Sequence, residues 1–206
     1  MQITKFKRLP KHIGIIPDGN RRWAVSHNKE KHEGYNYGIA PGFELYNLCL
    51  KHGIKELTFY GFTQDNTKRP AIQTKAFQKA CVDAVMKLAN RDANLLVIGN
   101  HTSPLFPKEL LPFANKRVRF GKGLININFL VNYGWKWDLS TNASKNIPRI
   151  DLIIRWGGRR RLSGFLPIQS VYADFYIIDD FWPDFKENHL YEALSWYQTQ
   201  DITLGG

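Results

Sequence analysis

Short apolar runs alternate with segments of helical periodicity along most of the chain. Six runs are predicted as β-strands, because they are short, apolar and bounded by turn residues; they cover residues 12–17, 56–62, 95–99, 124–133, 151–156 and 173–178. Apolar residues near helical spacing predict helices over residues 21–27, 37–52, 70–91, 107–120 and 187–200. This alternation is typical of an α/β domain with a mostly parallel sheet, whose ligands bind where the strands end.

The size and charge of the chain narrow the function classes. Its 206 residues predict one domain spanning 1–206, long enough to bury a core without a disulfide or a metal. The net charge of +11 indicates an anionic partner: nucleic acid, an acidic lipid surface or a phosphorylated small molecule. Cys49 and Cys81 are too few for a zinc site, and both are predicted to be buried free thiols.

The sequence also bears on location. No apolar stretch is long enough to span a membrane, and the amino terminus lacks the apolar core of a signal peptide. We therefore expect no transmembrane segment and a cytoplasmic protein.

A proline-aspartate-glycine turn follows the first predicted strand and precedes a short helix. Gly19 permits a tight turn, and free backbone N–H groups at the helix start, together with Arg21 and Arg22, favour binding of an anion. Asp18 would repel a phosphate unless a divalent cation lies between them, and magnesium is typically held by one or two carboxylates plus phosphate oxygens. The alternative is a structural Asp-Gly turn beside solvated arginines.

Three further segments carry candidate chemistry. Residues 155–164 combine paired glycines, four arginines and a serine after an apolar strand, which suits a second phosphate group or, alternatively, a solvated basic loop that touches nucleic acid. The polar loop at residues 62–70 meets the reacting part of a substrate or is a capped loop. Asp174, an acid among aromatic residues, is either a structural carboxylate or a metal ligand.

Together these segments resemble the cis-prenyltransferase (undecaprenyl diphosphate synthase) family. Residues 12–24, with Pro-Asp-Gly-Asn-Arg-Arg-Trp, look like the family signature; residues 62–70 are similar to its Phe-Ser-x-Glu-Asn-x-x-Arg-Pro segment, and residues 154–185 to its Arg-x-Gly-Gly to Trp-Pro-Asp-Phe region. The resemblance implies a single catalytic domain with a six-stranded, mostly parallel sheet and flanking helices around an apolar tunnel. It also implies a homodimer and a magnesium-dependent coupling of isoprenoid diphosphates that needs no other cofactor.

The resemblance implies roles for individual residues. Asp18 would hold magnesium on the diphosphate of the allylic substrate and help that group leave; Asp174 would be a metal ligand in place of the family glutamate, and Asn66 matches the asparagine assigned to proton loss. The allylic substrate would contact Gly19, Asn20, Arg21, Arg22 and Trp23, and the second diphosphate would contact Arg155, Arg161 and Ser163. The other substrate-binding positions are Lys31 and Tyr35 (in place of an arginine and a histidine), Thr63, Arg69 and Arg160. Together with Arg159, Arg160 would compensate for an arginine pair missing near the terminal Gly205 and Gly206.

Departures from the family pattern bear on the product. Tyr37, Leu130 and Val131 replace smaller residues and are predicted to crowd the tunnel, which favours a short product of about C10 to C15. Thr67, Trp156 and Arg159 are unusual residues near the expected second-substrate site. They favour head-to-middle coupling of allylic diphosphates such as dimethylallyl diphosphate to a lavandulyl-type product.

Other interpretations stay open from sequence. The first is a regular short-chain synthase that extends an allylic primer, dimethylallyl or geranyl diphosphate, with isopentenyl diphosphate. A non-catalytic partner subunit would usually lose the aspartate, which this chain retains as Asp18. A nucleic-acid-binding protein would display its basic residues on one face, whereas these arginines cluster at glycine-flanked strand ends, so we expect no nucleic-acid partner.

Overall fold

A twisted sheet of seven strands, in the order β4-β3-β5-β2-β1-β6-β7, forms the centre of the computed structural model, which describes residues 6–201. The strands are β1 His12–Ile16, β2 Glu56–Tyr60, β3 Ala93–Ile98, β4 Val118–Arg119, β5 Ile125–Leu130, β6 Leu152–Arg155 and β7 Asp174–Ile177. The helices are α1 Asn20–Ser26, α2 Gly34–Tyr37, α3 Ile39–Lys51, α4 Ala71–Leu88, α5 Trp135–Thr141 and α6 Glu187–Tyr197. The terminal Gly205 and Gly206 lie outside the described residues.

The six predicted strands are confirmed, and every pairing among them is parallel. The sheet nevertheless has seven strands rather than six, because the two-residue β4 adds an antiparallel edge beside β3. The predicted helix at residues 107–120 is wrong. A 3-10 helix at Lys108–Phe113 contains Pro112, which cannot donate the backbone hydrogen bond of a longer helix, and β4 follows it.

The two faces of the sheet are covered differently. In β1, β2, β3 and β5 the odd-numbered residues, such as Ile13, Leu57 and Phe129, point into the larger core, where α3, α4 and α6 pack; in β6 the even-numbered Leu152 and Ile154 do so. The smaller core lies on the other face of the sheet and is covered mainly by the irregular segments around Ile150 and Phe165. Among residues 6–201, no helix combines the length and the apolar character needed to cross a bilayer.

Both cysteines are buried free thiols in the larger core, as predicted. Burial raises the pKa of Cys49, and it raises the pKa of Cys81 to about 12. The two thiols therefore stay protonated at neutral pH and contribute to packing rather than to metal binding.

A buried polar network connects the early parts of three strands. The Nδ1 of His12 lies 3.1 Å from the Pro148 carbonyl, so Nδ1 carries the proton and Nε2 accepts from the Thr58 hydroxyl at 2.8 Å. Asn128 donates to the same hydroxyl oxygen at 2.9 Å and to the Glu56 carboxylate at 2.8 Å. The network fixes the register of β1, β2 and β5 at the end of the sheet opposite to the strand carboxyl ends.

We expect this network to make stability fall at acidic pH. Burial lowers the pKa of His12, although Glu56 and Asp151 oppose the shift. The unfolded chain therefore binds the proton first as the pH falls below about 6.5, and the free energy of unfolding then decreases by up to about 1.4 kcal/mol per pH unit. Urea unfolding should show that the free energy of unfolding falls less between pH 7.5 and pH 5.5 for His12→Gln than for the wild type. His101→Gln changes an exposed histidine, and its free energy of unfolding should fall between the two pH values as much as that of the wild type. An equal fall in all three proteins would refute the assignment to His12.

Candidate active site

A polar cleft lies at the carboxyl ends of β1, β2 and β6, where an α/β sheet of this kind binds its ligands. Its volume is about 780 Å³. Thirteen residues predicted from sequence line the cleft: Asp18, Gly19, Asn20, Arg21, Arg22, Lys31, Tyr35, Thr63, Asn66, Arg69, Arg155, Arg161 and Ser163. The fold thus brings three segments that are distant in sequence to one cavity.

The turn after β1 presents Asp18 to the cleft. Asp18 Oδ1 accepts the backbone N–H of Gly19 at 2.6 Å, and Asn20 donates from Nδ2 to the Pro17 carbonyl at 2.9 Å. Gly19 has φ of 107°, and a Cβ there would lie 2.7 Å from the Phe181 ring. Only glycine fits this left-handed turn, after which α1 begins.

Arg155 connects the Asp18 turn to the arginine-rich loop. Its Nη2 donates to Asp18 Oδ2 at 2.8 Å, and its Nη1 donates to Ser163 Oγ at 3.0 Å and to the carbonyl of Arg161. Arg22 lies on the other side, with Nη2 3.6 Å from Asp18 Oδ1 and 2.9 Å from the Gly157 carbonyl. The two predicted phosphate-binding segments are therefore in direct contact.

The arginine-rich loop is anchored by the strand end beside it. Gly157 donates its backbone N–H to the Asp180 carbonyl at 2.8 Å. The Asp180 carboxylate contacts His189 Nε2 at 3.0 Å, and His189 Nδ1 accepts from the indole of Trp156 at 3.2 Å. The sequence suggested that Trp156 faces the second substrate. Trp156 is instead fully buried and supports the loop from within the core.

The opposite wall of the cleft carries an arginine and an amide. Arg69 donates to the Tyr35 hydroxyl at 2.8 Å, and the Tyr35 ring stacks on Phe77 at a centroid distance of 4.5 Å. Burial raises the pKa of Tyr35, which Arg69 partly offsets, so the phenol stays neutral. Asn66 accepts the Thr63 backbone N–H at Oδ1, which leaves its Nδ2 group as a hydrogen-bond donor.

An apolar seam leads from the cleft between α3, α4 and the sheet. Tyr60, Gly61 and Phe77 line both spaces, and the seam follows α4 from Phe77 to Leu88, a distance of roughly 16 Å at the helical rise. Its volume is only about 80 Å³. Phe59 and Phe129, stacked at 5.3 Å on neighbouring strands, form part of its wall on the sheet side.

The three residues predicted to crowd a tunnel do not line the seam, so the prediction of which side chains narrow it is wrong. Tyr37 is 44% exposed and packs on Trp23 outside the seam. Leu130 points to the opposite face of the sheet, and Val131 is buried in the core beyond the end of β5. Phe59 and Phe129 are among the bulky residues that line the seam instead.

Three predicted site residues do not line the cleft. Trp23 is buried, and its indole donates to Asp184 at 2.7 Å, so it supports α1 from behind. Arg160 is exposed on the same loop as Arg161. Asp174 opens β7 level with Leu152, whereas Asp18 follows the opposite end of β1. Burial raises the pKa of Asp174, and Arg8 opposes this shift. Within one chain, Asp174 and Asp18 therefore do not form a common metal site.

Comparison with known proteins identifies the family of the chain. The sequence model of the family described as "putative undecaprenyl diphosphate synthase" matches residues 16–146 and 139–205. The chain is 30% identical to the isoprenyl transferase of Leptospira interrogans over 96% of this chain and 95% of that relative. It is 31% identical to the (2E,6E)-farnesyl-diphosphate-specific ditrans,polycis-undecaprenyl-diphosphate synthase of Vibrio parahaemolyticus, over 96% and 91% of the two chains.

The chain belongs to the cis-prenyltransferase family. It is therefore a prenyltransferase. A solved structure shares the fold: lavandulyl diphosphate synthase from Lavandula x intermedia, in complex with dimethylallyl diphosphate, superimposes with a TM-score of 0.79. That match covers 96% of this chain and 98% of the other at 24% identity.

The cleft of this cis-prenyltransferase is strongly cationic. Seven basic side chains and two acidic ones line it: Lys31, Arg21, Arg22, Arg69, Arg155, Arg159 and Arg161, with Asp18 and Asp65. Two diphosphate groups would offset this charge. The low-dielectric walls strengthen each contact with phosphate oxygens.

The donor set fits magnesium only together with a substrate. Within residues 6–201, no group of three histidine, cysteine or acidic side chains forms a metal cage. Asp18 supplies one carboxylate, and magnesium is commonly bound by one or two carboxylates plus substrate phosphate oxygens. A magnesium–diphosphate complex at Asp18 therefore matches the residues present, and when bound the ion would stabilise the negative charge of the leaving diphosphate.

Two lining residues, Tyr60 and Phe181, and the neighbouring Gln73 were not identified as site residues from sequence. Tyr60 donates to the Ser163 carbonyl at 2.6 Å and so helps to hold the arginine-rich loop. Phe181 lies under Arg22, with its ring centroid 5.0 Å from the guanidinium carbon. Gln73 accepts from Arg21 at 3.2 Å. The position of Tyr60 at the end of a predicted strand could have marked it as a site residue. Phe181 and Gln73 come close to the cleft arginines only in the folded chain, so nothing in the sequence indicated their contacts.

Proposed function

We propose that this prenyltransferase joins two short isoprenoid diphosphates to a product of about ten carbons, the lower end of the C10 to C15 range expected from sequence. The observation that carries the proposal is the narrow apolar seam beside the cationic cleft. An apolar cavity of about 150 Å³ holds benzene, with six carbons. The 80 Å³ of the seam is therefore on the scale of one five-carbon prenyl group and far below the space that a polyprenyl chain needs.

The two substrates would occupy different parts of the cleft. The first, dimethylallyl diphosphate, would place its diphosphate against Gly19, Arg21 and Arg22 and its prenyl group in the seam past Tyr35. The second diphosphate would contact Arg155, Arg161 and Ser163, which lie at the other side of Asp18. With the two diphosphates on either side of Asp18, the second alkene would lie beside the first allylic carbon.

The reaction would begin when the allylic C–O bond breaks and its electron pair leaves with the diphosphate. Arg21, Arg22 and the backbone N–H groups in the first turn of α1 would stabilise the growing negative charge. The alkene of the second substrate donates its electron pair to the allylic carbon, and the new cation then loses a proton to an oxygen of the released diphosphate. Asn66 would orient the second substrate for this last step. Its Nδ2 group can donate a hydrogen bond to the substrate, whereas its Oδ1 already accepts the backbone N–H of Thr63.

The second substrate distinguishes two forms of the reaction. Head-to-middle coupling uses another allylic diphosphate, and Arg159, in place of a usual glutamate, adds a cation to the cleft near that substrate. Thr67, whose hydroxyl bonds to the Gln64 carbonyl, and the buried Trp156 do not line the cleft and give no support. We retain head-to-middle coupling as the proposal; regular condensation with isopentenyl diphosphate is the second candidate, favoured by the intact Arg155, Arg161 and Ser163 site.

A product assay with dimethylallyl diphosphate alone, in the presence of Mg²⁺, tests the form of coupling. After phosphatase treatment, a branched ten-carbon alcohol in the mass-resolved chromatogram is the expected result. A product that forms only after isopentenyl diphosphate is added would establish the regular reaction instead. The absence of product with either mixture, and with geranyl diphosphate as primer, would favour a non-catalytic partner subunit.

We also propose that the chain forms a homodimer and acts in the cytoplasm. An apolar surface supports the dimer: Trp135, Leu139, Ile168, Val171 and Tyr172 are all exposed on segments that cover the smaller core. The Trp135 ring lies against Gly164, which brings these segments together. Clustered exposed apolar residues are typical of protein interfaces, so light scattering should give twice the chain mass.

A further inference from the structure

In the structure, the Asp18 carboxylate is occupied by cations and donors of the protein itself. Oδ2 accepts from Arg155 Nη2 at 2.8 Å, and Oδ1 accepts the Gly19 N–H and lies 3.6 Å from Arg22 Nη2. A divalent cation that binds Asp18 must therefore compete with the Arg155 guanidinium. The side chain of Arg155 is only 5% exposed, so water screens this ion pair weakly.

Arg155 also belongs to the second diphosphate position. Its Nη1 contacts Ser163 Oγ, and its Nε is buried without any hydrogen-bond partner among the described residues. A buried N–H without an acceptor is unfavourable, and an arriving diphosphate oxygen is a suitable acceptor. The same guanidinium thus links the cation position to the second anion position.

We propose that Arg155 couples the two positions: it occupies Asp18 until a diphosphate draws it away, and only then does Asp18 bind the divalent cation tightly. This inference rests on the proposed function, because it uses the two substrate positions assigned there. The coupling is reciprocal, since any gain in cation affinity caused by the diphosphate equals the gain in diphosphate affinity caused by the cation. The enzyme would thereby avoid activating the first substrate before the second has bound.

Cation binding to the protein alone tests the coupling without any turnover. Mn²⁺ serves as the probe and is titrated by electron paramagnetic resonance in the absence of diphosphate. We expect Arg155→Gln to bind Mn²⁺ at least tenfold more tightly than the wild type. Arg160→Gln removes the same charge from the neighbouring arginine-rich loop, where it makes no described contact with Asp18, and its Mn²⁺ affinity should stay within a factor of two of the wild type.

The reverse arm uses inorganic pyrophosphate and calorimetry in the presence of EDTA. Asp18→Asn releases Arg155 from its ion pair, so pyrophosphate should bind to it several-fold more tightly than to Asp65→Asn. The Asp65→Asn change removes an acid from the same cleft, whose described ion pair is with exposed Lys68. The pyrophosphate measurement tests the coupling even if Arg155→Gln does not fold. Equal gains for Asp18→Asn and Asp65→Asn, or unchanged Mn²⁺ affinity in folded Arg155→Gln, would overturn the coupling. Absence of any prenyl product from the wild type would overturn the proposed function instead, so the two failures are distinct.

Discussion

Replacing Asp18 with asparagine should lower kcat by at least about a thousandfold, which corresponds to about 4 kcal/mol of transition-state stabilisation. The asparagine side chain would keep an oxygen for the Gly19 N–H, so the turn after β1 should persist. What is lost is the carboxylate charge that would bind the magnesium–diphosphate complex. Asp18→Ala should lose activity to the same extent, and the near-native circular dichroism of either variant would show that the fold is intact.

Asp65→Asn is the matched control for the loss of charge. Asp65 also lines the cleft, but its side chain is 74% exposed and pairs with Lys68 at 2.9 Å. Because it makes no described contact with Arg155 or Gly19, we expect less than a tenfold change in kcat. Comparable losses in the two variants would mean that the general field of the cleft, and not a specific metal contact at Asp18, controls the rate.

Phe129→Ala should allow the enzyme to accept a longer first substrate. The Phe129 ring walls the apolar seam together with Phe59, and its removal would widen the space available to a prenyl chain. With geranyl diphosphate as the first substrate, and isopentenyl and dimethylallyl diphosphates each offered as the second, we expect the variant to form a fifteen-carbon product. The wild type should form little or none of it.

Leu130→Ala is the matched control for this change. Leu130 neighbours Phe129 on β5 and is equally well buried, but it points to the other face of the sheet. Both changes should cost about 2–5 kcal/mol of stability, so a general loosening of the core would affect them alike. Lengthened products from Leu130→Ala, or none from Phe129→Ala, would show that other residues limit the chain.

The polar part of the site could be predicted from sequence because its geometry is local. Asp18, Gly19 and Asn20 occupy a single turn whose left-handed glycine leaves few alternatives. Arg155 is the last residue of β6, and the carboxyl ends of parallel strands meet at one edge of the sheet. A motif at a strand end therefore gives both the conformation and the position.

The apolar part could not be predicted in this way. In residues 129–131 every position is apolar, so no alternation shows that Phe129 faces the helices while Leu130 faces away. Trp23 and Tyr37 lie on short helices whose orientation depends on contacts with Asp184 and with each other. Asp174 lies at the start of β7, as the predicted strand at residues 173–178 implied; its assignment as a metal ligand came from the family resemblance.

The mass of the product made by the wild-type enzyme tests the central claim most directly. The protein would be incubated to completion with Mg²⁺, dimethylallyl diphosphate and an excess of isopentenyl diphosphate, and the alcohols released by phosphatase would be resolved by mass. A narrow seam beside two diphosphate positions predicts alcohols of ten carbons as the main product. A ladder of polyprenyl alcohols extending far beyond fifteen carbons would contradict the account.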